Sequence, residues 1–118
     1  MIVIAPFYLI RFVDYLNMHY PTKLECYIEF LQGEECIEYM ESYDGFSSYA
    51  VYDADTHILK VPTQYPVGKT PRFLLESIAH EFWHHIQNIE GRLDKSNELQ
   101  IEFEAEQMAI QIVDEYIK

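Results

Sequence analysis

The sequence is poor in basic residues. Its 118 residues include 8 lysines and arginines against 20 aspartates and glutamates, which gives a formal net charge of −12 at pH 7. Binding to a phosphate backbone or to an anionic membrane surface requires a basic patch, and no stretch of the chain supplies one. We therefore expect neither a nucleic-acid partner nor a membrane partner.

The sequence also lacks a recognisable leader, a membrane span, repeats and linkers. The apolar residues 1–10 have no basic region before them, are interrupted by Pro6, and are followed closely by Arg11 and Asp14. A membrane-spanning helix needs about 20 consecutive apolar residues. With 49% hydrophobic residues there is enough apolar material for one core. We expect a cytoplasmic protein in which residues 1–118 form a single domain.

Cysteine is scarce as well, since the chain contains only Cys26 and Cys36. A zinc site built from cysteines would need a closely spaced Cys-x-x-Cys pair, which is missing. If residues 32–35 form a turn between two strands, Cys36 lies opposite about Leu31 and several residues from Cys26 along the strand. We therefore expect two reduced, half-buried thiols instead of a disulfide.

Hydrophobic periodicity in the first half of the chain predicts a helix followed by strands. Apolar residues recur at helical spacing over residues 6–18. Acidic and apolar residues tend to alternate over residues 24–31 and 35–43, which is typical of half-buried strands. Residues 48–52 and 57–61 predict a hairpin around a tight acidic turn. We expect these strands to form an antiparallel sheet or meander.

Two helices are predicted in the last third of the chain. Residues 62–70 contain two prolines and a glycine and therefore predict a loop. Thr70 followed by Pro71 is a favourable helix start, and Gly91 is a suitable left-handed cap at its end. A last helix is predicted over residues 98–117. The expected fold class is α+β, with an N-terminal helix, a small antiparallel-rich sheet of three or four strands, and two C-terminal helices.

The first of these two helices contains His80-Glu81-Phe82-Trp83-His84. Positions four apart on a helix lie one turn apart and differ by about 40° around the axis, so both imidazoles can face one metal ion. Glu81 lies about 100° from His80, beside such an ion, where its carboxylate can accept a proton from water. The apolar residues of the helix occupy a different arc. The spacing therefore predicts a metal-binding edge that is separate from the core face.

A catalytic zinc site needs a third protein ligand and an open position for water. The last helix offers four glutamates, of which Glu102 falls near the middle of the predicted apolar arc. A carboxylate there is unfavourable unless it is paired or bound to a metal, so Glu102 is the preferred ligand and Glu98 the second choice. Glu106 is expected to accept a hydrogen bond from a ligand histidine. Glu104 is expected to face solvent.

The complete pattern resembles the gluzincin arrangement. His80-Glu81-x-x-His84 is followed by Glu-Phe-Glu-Ala-Glu-Gln-Met-Ala at residues 102–109. The pattern is similar in particular to minimal gluzincins and ImmA/IrrE-like metallopeptidase domains, which are small α+β units with two zinc-bearing helices over a sheet. The resemblance implies one zinc ion per chain, held by His80, His84 and Glu102, with Glu81 as general base. Glu106 occupies a position where the family often has aspartate or asparagine.

The resemblance also implies an edge strand that pairs with an extended substrate, a role open to residues 48–52 or 58–61. Stabilising an oxyanion requires a hydrogen-bond donor besides the zinc ion. His85 is expected to pack against its surroundings more readily than to bind metal. The candidates for oxyanion stabilisation or substrate binding are Tyr49, Tyr52, His57, Tyr65 and His85.

Three functions are compatible with these residues. The preferred one is a zinc-dependent endopeptidase, a hydrolase acting on an exposed or unfolded segment of a protein or peptide. The second is a catalytically silent zinc-binding domain that mediates protein interactions, although a structural site has no need of a base such as Glu81. The third is an α+β domain without metal, which leaves Glu102 in an apolar arc unexplained. The sequence does not determine the oligomeric state.

Overall fold

Helices and short strands alternate along the described part of the chain, which in this computed structural model comprises residues 2–3, 6–43, 49–65 and 69–118. The helices are α1 Pro6–His19, α2 Gly33–Ser42, α3 Pro71–Ile89 and α4 Glu98–Tyr116. The strands are β1 Ile2–Val3, β2 Tyr27–Leu31, β3 Val51–Asp53, β4 Ile58–Pro62 and β5 Gln64–Tyr65. A 3₁₀ turn, Lys95–Asn97, precedes α4. The predicted α+β class is confirmed.

The main sheet has three strands in the order β2-β4-β3, so β4 is central and β3 forms one edge. β3 runs antiparallel to β4, with Tyr52 opposite Leu59, and β2 runs parallel to β4. The predicted hairpin is confirmed. Its turn is held by Asp53, whose Oδ1 accepts hydrogen bonds from the backbone N–H groups of Asp55 and Thr56. A separate antiparallel pair joins β1 and β5.

The strand predicted over residues 35–43 is wrong, because this segment forms helix α2. Its alternating pattern also places Cys36, Tyr39 and Met40 at helical spacing, and these are the residues of α2 that turn inward. The predicted meander is wrong for the same reason. Since β2 and β4 are parallel, a tight turn cannot connect them, and α2 lies in the crossover between them.

Both cysteines are free, as predicted, but they are fully buried instead of half-buried. The expected distance between the two cysteines assumed that residues 24–31 pair with residues 35–43. That pairing does not exist, because Cys36 lies in a helix. Its Sγ is 3.9 Å from Sδ of Met40. Burial raises the pKa of the Cys26 thiol to about 12, so this thiol remains protonated and unreactive.

One hydrophobic cluster joins α1, the main sheet, α3 and α4. The buried face of α4 is narrower than predicted, because Leu99 and Phe103 are 88% and 67% exposed. The residues of α4 that are buried are Ile101, Ala105, Ala109, Ile112 and Val113. Within the described ranges, no helix combines the length and apolar character needed to cross a membrane.

Helix α3, which carries the two predicted ligand histidines, starts and ends as expected. Thr70 precedes it with an extended backbone, and its Oγ1 accepts a hydrogen bond from the Phe73 N–H. At the other end, Gly91 has a φ of 73°, in the left-handed region that glycine adopts without strain.

The start of the predicted third strand, residue 48, and part of the predicted loop, residues 66–68, lie outside the described residues.

Replacing the Thr70 hydroxyl tests this helix start. We expect Thr70→Ala to lower the free energy of unfolding by about 1 kcal/mol, because the first turn loses a side-chain acceptor. Chemical denaturation measures the change. Thr70→Ser keeps the hydroxyl and should stay close to the original protein. An equal loss of stability in both variants would contradict the capping role.

Candidate metal centre

Helix α3 brings His80, Glu81 and His84 into one cluster that could hold a metal ion. One potential ligand atom from each residue lies within 4.8 Å of the others. The two imidazole rings are one helical turn apart, with their centres separated by 4.8 Å. His84 is the most enclosed of the three, with 8% of its surface exposed. The local geometry predicted from the spacing is therefore present.

Helix α4 brings Glu102 to the same place. Its Oε2 lies 3.0 Å from Nε2 of His80, and its Oε1 lies 2.9 Å from Nε2 of His84. In a tetrahedral zinc site with ligand bonds of about 2.0–2.1 Å, neighbouring ligand atoms are about 3.3 Å apart. Each contact between Glu102 and a histidine is therefore close to the ligand spacing of such a site, although the two contacts are made by different oxygens of Glu102. Two imidazole nitrogens and a carboxylate are also a donor set that suits zinc.

The position of Glu102 on α4 differs from the prediction. Its side chain is 54% exposed and lies at the border of the buried face, instead of in the middle of an apolar arc. Leu99 and Phe103, which widened the predicted arc, face solvent. The contact with both histidines supports Glu102 as the third ligand, while the burial argument that selected it is wrong.

Glu81 faces the histidines but lies farther from them than Glu102 does. Its Oε2 is 3.7 Å from Nε2 of His80 and 3.9 Å from Nε2 of His84. Its Oε1 accepts a hydrogen bond of 3.0 Å from the backbone N–H of Tyr52 in the edge strand β3. One oxygen is thus held by the sheet, and the other is directed toward the ligand atoms.

A buried glutamine supports His84 from behind. Oε1 of Gln87 lies 2.8 Å from Nδ1 of His84, and Gln87 is 0% exposed. Its amide nitrogen donates to the carbonyl oxygen of Ile101 and to Oε1 of Glu104. Sequence reasoning missed Gln87. The available signal was a polar residue three positions after His84 on a helix face that is otherwise buried.

Glu104 is not the solvated residue that was predicted. Its Oε1 accepts hydrogen bonds from Nε1 of Trp83 at 2.6 Å and from Nη2 of Arg92 at 3.0 Å, in addition to the one from Gln87. Hydrogen bonds from Arg92, and secondarily from Trp83, hold the pKa of Glu104 below its usual value. Glu104 therefore links α4 to Trp83 and Gln87 of α3 and to Arg92, which follows that helix.

Glu106 is exposed and lines the cavity beside the metal cluster. Among the described residues, no hydrogen bond joins it to His80 or His84. At His84 the place expected for Glu106 is taken by Gln87. A role for Glu106 beside His80 stays a prediction.

Two cavities meet at the metal cluster. The larger, of 520 Å³, reaches Val51 at the start of β3 and is also lined by Tyr39 of α2, Phe73 and Ile110. The smaller, of 270 Å³, is lined by Leu93 and Glu98, among others. His84, Glu81 and Glu102 line both cavities. A ligand spanning the two would pass directly over these three side chains.

Most of the candidate oxyanion donors are engaged elsewhere. Tyr52 lines the smaller cavity, but its hydroxyl donates to Nδ1 of His85 and accepts from Nδ2 of Asn88. His85 is fully buried and its Nε2 donates to the carbonyl oxygen of Leu24. Burial lowers the pKa of His85, so the imidazole is neutral and acts as a structural link.

Two of the remaining candidates, Tyr49 and His57, are not brought to the cluster. Tyr49 is fully buried among the rings of Tyr39, Tyr43 and Phe73. His57 packs against His85 at the end of the hairpin turn, with ring centres 5.5 Å apart. The side chain of Tyr65 lies outside the described residues. Of the tyrosines whose side chains are described, Tyr39 lines the larger cavity, and sequence reasoning did not single it out.

No protein family, curated protein or solved structure matches this chain. The similarity to gluzincins consequently rests on the motif residues themselves. The arrangement of His80, Glu81, His84 and Glu102 is what indicates a function. These four residues come from two helices and converge on one position between two cavities.

Metal binding by this cluster is directly measurable with zinc as the probe. We expect one zinc ion per chain in elemental mass spectrometry of the reconstituted protein. Glu102→Ala and His84→Ala should lose it, because each removes a ligand atom. Glu98→Ala is the matched control, since Glu98 lies one helical turn away and was the alternative ligand. Zinc retained in Glu102→Ala but lost in Glu98→Ala would reverse the assignment.

Proposed function

We propose that this protein is a zinc-dependent metallopeptidase that hydrolyses peptide bonds. The observation that carries the proposal is the arrangement of the two carboxylates around the histidines. Glu102 contacts both Nε2 atoms at hydrogen-bond distance. Glu81 lies farther from them, and one of its oxygens accepts a hydrogen bond from β3. A purely structural metal site has no use for a second carboxylate held beside it.

His80, His84 and Glu102 would hold the ion. When bound, zinc supplies Lewis acidity, which lowers the pKa of a water molecule and polarises a substrate carbonyl. The protein contributes an approach to that position from the two cavities that meet there. Three protein ligands would leave the fourth position for water or substrate, as a catalytic zinc site requires and a closed structural site does not.

Glu81 would act as the general base. Its Oε2 faces the histidines and would accept a proton from the attacking water as the water oxygen bonds to the peptide carbonyl carbon. The same oxygen would then donate that proton to the leaving nitrogen as the C–N bond breaks. The hydrogen bond from the Tyr52 N–H to Oε1 keeps the carboxylate oriented during both transfers.

The edge strand β3 supports a peptide as the substrate. Among the described strands, β4 is the one neighbour of β3, and Val51 on β3 is exposed and lines the larger cavity. An extended peptide lying along this edge would cross the metal position, since Tyr52 of the same strand contacts Glu81. Substrates would therefore be exposed segments in an extended conformation, because a helix uses its backbone N–H and C=O groups internally and cannot pair with the edge.

A catalytically silent zinc-binding interaction domain is the second candidate. It is favoured by the engagement of the Tyr52 hydroxyl with His85 and Asn88, and by the burial of Tyr49 away from the metal cluster. Neither hydroxyl is available as an oxyanion donor. In this alternative the same edge strand would bind a partner segment without cleaving it.

Glu81→Gln separates the two functions. Glutamine retains the shape and the oxygen that accepts from Tyr52 but cannot take up the proton. We expect unchanged zinc content and a loss of about 10²–10⁴-fold in hydrolysis of a quenched fluorescent peptide library, the range for losing a general base.

Glu34→Gln, on the exposed surface of α2, is the control and should keep full activity. Equal activity in Glu81→Gln and in the original protein would contradict the role of Glu81. Zinc-loaded protein that hydrolyses no member of the library would contradict the metallopeptidase and leave the interaction domain.

A further inference from the structure

Only one of the two nitrogens of His84 faces the metal position. Nε2 points to Glu102, while Nδ1 points away from it into the protein and lies 2.8 Å from Oε1 of Gln87. A neutral imidazole has one N–H donor and one lone pair. Whichever group faces Nδ1 therefore decides whether Nε2 carries the lone pair that a metal needs.

The orientation of the Gln87 amide is fixed by its other neighbours. Its amide nitrogen lies 3.1 Å from the carbonyl oxygen of Ile101 and 3.3 Å from Oε1 of Glu104. A carbonyl and an ionised carboxylate can only accept hydrogen bonds, so the NH₂ group of Gln87 must face them. Its oxygen must then face His84. Because that oxygen can only accept, Nδ1 of His84 must carry the proton.

We propose that Gln87 is the positioning residue of this metal site. It holds His84 in the tautomer that leaves the Nε2 lone pair free for the ion, and it binds the carbonyl of Ile101, the residue directly before Glu102. The buried amide of Gln87 thus orients a ligand on α3 and holds the residue next to a ligand on α4. The inference rests on the proposed metal site and adds to it the residue that prepares His84 for binding.

Burial and charge both suit this role. Gln87 is fully buried, so no water competes for its hydrogen bonds, and Glu104 is itself held by Trp83 and Arg92. With a zinc ion bound, the carboxylates of Glu81 and Glu102 already balance its charge. A neutral amide behind His84 orients the ring without adding a third negative charge to the site.

Gln87→Met tests the proposal, because methionine keeps the length of the side chain and removes both the acceptor and the donor. We expect zinc affinity, measured by competition with a chromogenic chelator, to fall about 10- to 100-fold, the usual effect of removing a partner behind a ligand histidine. Asn88→Met is the matched control. Asn88 also makes two side-chain hydrogen bonds from α3, but it donates them to Tyr52 and Ala54 instead of contacting His84, and the zinc affinity of Asn88→Met should not change.

Equal zinc affinity in folded Gln87→Met and in the original protein would overturn the role of Gln87. An equal fall in affinity in Asn88→Met would overturn it as well, because the loss would then not depend on the contact with His84.

The unmodified protein provides a test that does not depend on folding of a variant. In ¹⁵N imidazole spectra of the zinc-loaded chain, we expect the His84 proton on Nδ1, slow to exchange with water. A proton on Nε2, with the metal on Nδ1, would overturn the proposal while leaving zinc binding intact. Absence of zinc binding in the unmodified protein would instead overturn the metal site on which the proposal rests.

Discussion

The packing of α4 against α3 is the interaction on which the site depends. His80 and His84 are one turn apart on a single helix, but Glu102 reaches them only because α4 lies alongside. Small residues, Ala105 and Ala109, are buried on the facing side of α4 and allow a close approach of the two helices. The buried amide of Gln87 adds a specific hydrogen bond to the Ile101 carbonyl, which sets the register of one helix against the other.

The electrostatics of the site favour a cation. Glu81 and Glu102 both direct oxygens toward the same two imidazole nitrogens in a chain with a net charge of −12. Without an ion the two carboxylates repel each other across the site. A bound divalent ion would neutralise both carboxylates, so metal binding and the pairing of α3 with α4 are expected to stabilise each other.

Features that lie within one helix or turn were predictable from the sequence. Features that depend on contacts between separate helices and strands were not. The limits of α3, its capping residues and the His80–His84 spacing follow from helical geometry and were confirmed. The segment forming α2 was misassigned because its alternation fits a strand and a helix equally well. Gln87 was missed although residues three apart on a helix are neighbours, and Glu104 could not be recognised because its partners come from outside α4.

The central claim is that two helices hold one metal ion through His80, His84 and Glu102. A crystal structure of the zinc-loaded protein, with an anomalous difference map recorded at the zinc edge, tests it most directly. We expect one strong peak between Nε2 of His80, Nε2 of His84 and the Glu102 carboxylate, with Glu81 beside it. A peak bound to other acidic residues, or a map with no peak at these histidines, would contradict metal binding by these three residues.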